Sequence, residues 1–302
     1  MRYLINILDM KQMLEAELTE IYLSRKRTTG KDRTNALCES FEMALSRASL
    51  VNYRPDQLWT GLQNVFYRQQ LVPAFQQFQV NEIDSSDLIQ DVLSVRNGWV
   101  KSSGSAFENF IEKYFSAQFI QSEYAGKVIV SKKANVGLFK PTNLGQFELG
   151  EHGVDDLYLL VKNGSGYIIW AMISAQASGG DRWERASARC NHLRSNGINC
   201  INMTLDPRDI ARSPHGMLFH AQYLRKFQAE NPSYNVHFVL DSQDGVATIP
   251  ADLVREYNLD ATSRIIRADI RHSKNAFLEV SMRMAHQFLR SQNQLSATAH
   301  WA

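Results

Sequence analysis

Cysteine is scarce in this chain and poorly spaced for chemistry. Cys38, Cys190 and Cys200 are its three cysteines. An odd number with no C-x-x-C pair argues against a disulfide framework and against a zinc knuckle, so reduced, structural thiols are expected. Long hydrophobic runs are missing too. No stretch approaches the ~18 uninterrupted apolar residues of a membrane span. The start, Met1-Arg2-Tyr3-Leu4, runs into Asp9 and Lys11 without a signal-peptide core, so a cytoplasmic protein with no membrane association is expected. Charge of one sign is also lacking: 33 basic against 31 acidic residues leave +2, too little to indicate a polyanionic partner by itself. Walker, dinucleotide-binding and serine-hydrolase motifs are absent, which argues against a nucleotide-driven motor and predicts no nucleotide partner.

Hydrophobic types make up 44% of the 302 residues, enough for one large core or two modest ones. Leu4, Ile7, Leu8, Leu14, Leu18, Ile21 and Tyr22 fall at helical spacing before the Thr28-Thr29-Gly30 break. Further helical patterns around 36–47, 55–66 and 86–95 predict an N-terminal helical subdomain over 1–97. The texture changes after Asn97-Gly98, where Ser102-Ser103-Gly104-Ser105 reads as the start of a new helix carrying Phe107, Phe110, Ile111, Tyr114 and Phe115. A long polar stretch follows. Strands are then predicted over 157–161 and 167–175, a helix over 181–195, a strand over 198–205, a helix over 215–229 and a strand over 235–240. This alternation predicts an α/β domain over 98–302 built on a central mixed β-sheet flanked by helices.

The chemistry-bearing segment is Gly153-Val154-Asp155-Asp156, leading into Leu157 to Val161. After a turn, Ile168 to Ile173 end in Ser174-Ala175-Gln176. Strand side chains alternate faces, so Ser174 and Gln176 share one. With a five-residue loop, Lys162 to Gly166, Val161 pairs with Tyr167 and Met172 falls opposite Asp156. Asp156 then faces the side of Ser174 and Gln176, while Asp155 points away. A loop one residue shorter reverses that choice, so Asp156 is favoured and Asp155 stays a candidate. Polar Ser174 and Gln176 need a reason to end a core strand.

This order of elements resembles the PD-(D/E)XK nuclease superfamily, and within it the type II restriction endonucleases. There an Asp opens one strand, and a second strand ends in an acidic residue, any residue, then lysine. Glu108, in Gly104-Ser105-Ala106-Phe107-Glu108, resembles the further glutamate that many members place on the preceding helix. The departures are Ser174 where the family has an acid and Gln176 where it has lysine. Glutamine is a minor variant there, since an amide can still orient water. Serine occurs in restriction enzymes that recruit a glutamate from the following helix, for which Glu184 is available. The resemblance implies Mg2+ held by Asp156, Glu108 and Glu184, because hard oxygen ligands suit that cation and phosphodiester hydrolysis needs it at the scissile phosphate.

Just beyond lies Gly179-Gly180-Asp181-Arg182-Trp183-Glu184-Arg185, with Arg189 one turn further on. Arginine matches guanine edges and phosphates through its planar fork of donors, so Arg182, Arg185 and Arg189 are candidate DNA contacts. The resemblance covers Gly104 to Arg185. It implies a site-specific double-stranded DNA endonuclease acting as a homodimer or higher homo-oligomer in a prokaryotic cytoplasm. A repair or structure-specific nuclease of the same fold, and a sequence-specific DNA-binding protein without catalysis, stay open beside it.

Overall fold

The structure is a computed structural model and describes residues 2–25, 30–80, 82–122, 124–149, 155–176, 183–205, 234–242, 244–247, 255, 265–272 and 274–291. Two compact units divide the chain, Met1–Phe110 and Ile111–Ala302. The sequence texture set the boundary after residue 97; the structure sets it inside a helix.

In the first unit, helices α1 (Arg2–Arg25), α2 (Gly30–Ser46) and α3 (Pro55–Gln79) pack on one another. Pro55 sits in the first turn of α3, where a missing N–H costs nothing, and the Arg54 N–H is capped by Gln57 Oε1 at 2.9 Å. A side chain at Gly61 would collide with Leu18, so glycine lets α1 and α3 approach closely. The core is aromatic: Phe41 meets Trp59 edge-on at 4.9 Å and Phe110 at 4.8 Å.

Helix α4 runs unbroken from Ser85–Ile120, which corrects the expected break at Asn97-Gly98 and the helix start at Ser102. Glycine inside a helix costs about 1 kcal/mol relative to alanine. Burial of the neighbouring Trp99 against Trp59 and Phe66 outweighs that.

The second unit is built on a seven-stranded sheet in the order β1-β2-β3-β4-β5-β7-β6. Its strands are β1 (Val128–Lys132), β2 (Leu157–Asn163), β3 (Gly166–Gln176), β4 (Asn199–Thr204), β5 (Val236–Asp241), β6 (Gly245–Ala247) and β7 (Ile265–Asp269). β1, β2 and β3 are antiparallel neighbours, β3, β4, β5 and β7 run parallel, and β6 returns antiparallel to β7. The mixed sheet is as expected. β1 was not foreseen; it lies within the stretch read as polar loop.

One sheet face is covered by α5 (Trp183–Ser195), whose Cys190 and Leu193 pack with Tyr158, Leu160, Met172 and Cys200. On the other face Phe238 of β5 meets Phe277 of α6 (Ala276–Ser291) at 4.8 Å, and Phe277 meets Phe115 of α4. Buried on both sides, β2 and β3 read as near-continuous apolar runs rather than alternating ones. The helix expected over 215–229 lies outside the described residues. Among the described residues no helix is long and apolar enough to cross a membrane.

Candidate active site

The hairpin differs from the expected one in two ways that cancel. Its loop has two residues, Gly164 and Ser165, between the Asn163–Gly166 pair, not five. Gly164 takes a φ of +59°, a left-handed conformation that glycine enters without strain. The shorter loop shifts the pairing by one, so Val161 faces Ile168 rather than Tyr167. A β-bulge then shifts it by one more: Leu160 pairs with Ile169 and Leu159 with Ala171, leaving Trp170 as the extra residue. Two single shifts restore the parity. Leu157 pairs with Ile173, and one further step puts Asp156 opposite Ser174 instead of Met172. The favoured aspartate therefore stays on the favoured face, for a reason the loop count did not contain.

Asn143 serves this bulge. Its Nδ2 donates to the Ile169 carbonyl at 2.8 Å and its Oδ1 accepts the Ile169 N–H at 2.9 Å. The Asn143-Leu144-Gly145 loop, open to DNA contact on sequence alone, thus uses its asparagine to satisfy strand backbone beside the irregular register.

At the head of β2, Asp156 Oδ2 accepts the Ala175 N–H at 2.7 Å, and the Asp156 N–H donates to the Ile173 carbonyl at 3.2 Å. Gln176 Nε2 donates to Ser174 Oγ at 3.1 Å. Asp156 and Gln176 are half-buried, whereas Ser174 is fully buried. All three gather at the carboxyl ends of the parallel strands, the usual place for ligands in such sheets.

Asp155 has the opposite fate. It is buried, and its carboxylate accepts from Tyr158 Oη at 2.7 Å and from Arg189 Nε at 2.8 Å, with an Arg189 terminal nitrogen at 2.6 Å. That guanidinium also donates to the Glu148 carbonyl at 2.5 Å. Burial opposes the Arg189 charge, but the bonds and charge of Asp155 outweigh it and raise the guanidinium pKa. Burial, with the Asp155 charge second, pushes the Tyr158 hydroxyl well above its ordinary value. Asp155 is thereby corrected from catalytic candidate to fold-holding residue. Arg189 is corrected from DNA contact to its counter-ion.

Of the remaining candidates, Arg182 lies outside the described residues. Glu184 and Arg185 fall in the first turn of α5, and their side chains lie outside the described ones. Glu108 is half-buried on the part of α4 that belongs to the first unit. In the second unit, the glutamate beside the head of β2 is Glu112. Its Oε1 accepts the Lys132 N–H at 3.1 Å, and Lys132 pairs with Leu157. The Lys133 N–H donates to the Asp156 carbonyl at 3.3 Å. Glu112 is four residues from Glu108, on the same helix face, so helical spacing alone could have nominated it.

The sequence reading also missed a polar row inside the sheet. Ser174, Asn202 and His237 occupy adjacent positions on β3, β4 and β5, and all three are buried. Asn202 Nδ2 lies 3.1 Å from His237 Nδ1. Single polar residues inside the apolar strands β4 and β5 were the available signal.

The site residues fit a hard divalent cation. Asp156 supplies a carboxylate, Gln176 an amide oxygen and Glu112 a nearby second carboxylate, with no sulfur or imidazole among them; Mg2+ is commonly held by one or two carboxylates plus substrate phosphate. Among the described residues no three or more His, Cys, Asp or Glu side chains cluster as a self-sufficient metal cage.

The architecture defines the class: this is a restriction-endonuclease-like fold. The chain is similar to the restriction endonuclease AgeI in its specific DNA complex, with a TM-score of 0.61 at 14% identity over 90% of this chain and 91% of that one. It also aligns with the restriction endonuclease BsaWI in a pre-specific DNA complex, with a TM-score of 0.48 at 16% identity over 96% of this chain and 99% of that one. At the level of sequence no family model and no curated protein matches.

Proposed function

We propose that the protein is a site-specific double-stranded DNA endonuclease of the type II restriction kind, dependent on Mg2+ and acting as a homodimer or higher homo-oligomer. One observation carries the reading. Two compensating register shifts bring Asp156 to Ser174 and Gln176 at the carboxyl end of the sheet, in a fold shared over nine-tenths of the chain with a DNA-cleaving enzyme.

Asp156 would hold the metal, oriented by the Ala175 N–H that fixes one of its oxygens. When bound, Mg2+ would polarise a phosphoryl oxygen and acidify water. Gln176 takes the place of a lysine and cannot supply charge; its Nε2 donates to Ser174, and its amide oxygen is of the kind that orients a water or faces a cation. Glu112 is the described glutamate that could support Asp156, and Glu108 and Glu184 stay candidates. Two copies related by a two-fold axis would match a symmetric site cut on both strands. Incubation with a long plasmid and Mg2+, followed by mapping of the ends, tests the proposal; discrete fragments with one common end sequence support it. Cleavage of branched but not linear duplexes would move it to a structure-specific nuclease. The neutral Ser174–Gln176 pair also favours a second reading, a DNA-binding protein without catalysis, for which a defined site would be bound in Ca2+ and stay uncut in Mg2+ at any enzyme excess.

A further inference from the structure

Away from Asp156, a groove of about 870 Å³ runs between the end of α4 and helix α6. Helix α6 is sharply two-sided. Phe277, Met282, Ala285 and Phe288 are buried, while Glu279, Arg283, Gln287 and Arg290 face outward. Lys274 stands exposed just before the helix and His286 lies between the arginines, so the wall carries three permanent cations against one carboxylate, Glu279. Gln118 on α4 and Gln121 just beyond it supply neutral amides opposite. Lys274, Arg283 and Arg290 form no ion pair with any described residue, so their charge is available to an incoming partner.

The spacing selects the kind of partner. The 16 residues of α6 rise about 24 Å, with Lys274 ahead of the first turn and Arg290 in the last. No small anion can meet all three cations. A nucleic-acid strand can, because its phosphates follow a rise of roughly 3.4 Å per nucleotide, about seven of them over that length. A second copy of the same groove would bring like charges together.

We infer that the α4–α6 groove binds the phosphate backbone of DNA through Lys274, Arg283 and Arg290, as a sequence-independent contact additional to the cleavage site. This rests on the proposed DNA reading but concerns a different surface. The test is the salt dependence of binding to a random-sequence duplex in EDTA, read by fluorescence anisotropy. Each phosphate contact contributes a slope of about −0.9 in log K against log salt, so Arg283→Gln/Arg290→Gln should make the slope shallower by about 1.8. Arg283→Lys/Arg290→Lys keeps the charge and should retain the parental slope. An unchanged slope in the glutamine variant, or an equal loss in the lysine variant, overturns the groove while leaving the DNA reading standing. A parental protein that binds no DNA even at low salt removes both.

Discussion

Asp155 and Asp156 are adjacent in the chain, and the structure gives them different surroundings. Around Asp155 everything is closed: Tyr158 and Arg189 saturate the carboxylate, and the Arg189 side chain keeps only 15% of its exposure and that of Asp155 1%. Asp156 is half-buried at the head of β2. One backbone N–H fixes one oxygen, and the neighbouring polar groups, Ser174 and Gln176, are neutral. The contrast teaches that a carboxylate at a sheet end is read by its partners, not by its type. A buried carboxylate paired with a guanidinium and a phenol holds structure; a half-buried carboxylate among neutral polar groups is a place for a ligand.

The sharpest way to break the comparison is to remove the open carboxylate. Asp156→Ala should lower cleavage on the order of a thousandfold, since it deletes the carboxylate proposed to hold the metal. Specific DNA binding should stay within about tenfold and the thermal midpoint within a few degrees, because Asp156 is half-buried and outside the apolar core. Cleavage at the parental rate by this variant would return the site to another residue.

Removing the closed carboxylate should do the reverse. Asp155→Ala strands a buried guanidinium and a buried phenol, a change that costs about 3–5 kcal/mol for a broken buried pair. Denaturant unfolding should show that loss directly. Arg189→Ala should be similarly damaging. If Asp155→Ala unfolds like the parent yet fails to cut, the division of labour between the two aspartates is wrong.

A smaller effect is expected at Asn143, whose amide satisfies both backbone groups of Ile169 beside the bulge. Asn143→Ala should cost about 1–3 kcal/mol for the buried groups left unmade. The register of β2 against β3 also depends on that bulge, so activity should fall further than stability alone predicts. A crystal structure of the variant with an unchanged bulge and full activity would separate Asn143 from the site.

Much of this was legible beforehand. The strands from Leu157 and Tyr167 onward, helix α5 and the mixed sheet follow from apolar runs and periodicity, which are local. The register was not legible, because neither a two-residue turn at Gly164-Ser165 nor a bulge at Trp170 changes the hydrophobic pattern of strands buried on both faces. Asp156 shares a face with Ser174 because the shorter turn and the bulge each shift the register by one. Arg189 was misassigned because an arginine on a helix shows its charge in sequence but not its counter-ion. Glu112 was passed over for Glu108 because the helix start read at Ser102–Ser105 drew attention to the first glutamate after it, whereas α4 continues straight through. β1 was missed because only five residues, Val128 to Lys132, carry its pattern.

The smallest expected effect belongs to the closed region and appears only at high pH. The Tyr158 hydroxyl is held well above its ordinary pKa, first by burial and then by the Asp155 charge. A phenol whose folded pKa is raised weighs against the folded state once the unfolded chain begins to lose that proton, near pH 10. The neutral form is the one the fold prefers. Stability from this group is fully present below the unfolded value, and it is lost as pH rises toward the folded one, where the unfolded state binds fewer protons. Tyr114 and Tyr234 are raised in the same direction, each first by burial, so the parental protein should lose stability steeply above about pH 10. Tyr158→Phe removes one of these groups. Its stability, measured by denaturant titration at pH 8, 10 and 11, should start lower because the bond to Asp155 is gone, and then fall less steeply than that of the parent. An identical slope in the two proteins would mean that the phenol of Tyr158 titrates as it would in water, and the closed character of the Asp155 region would fail with it.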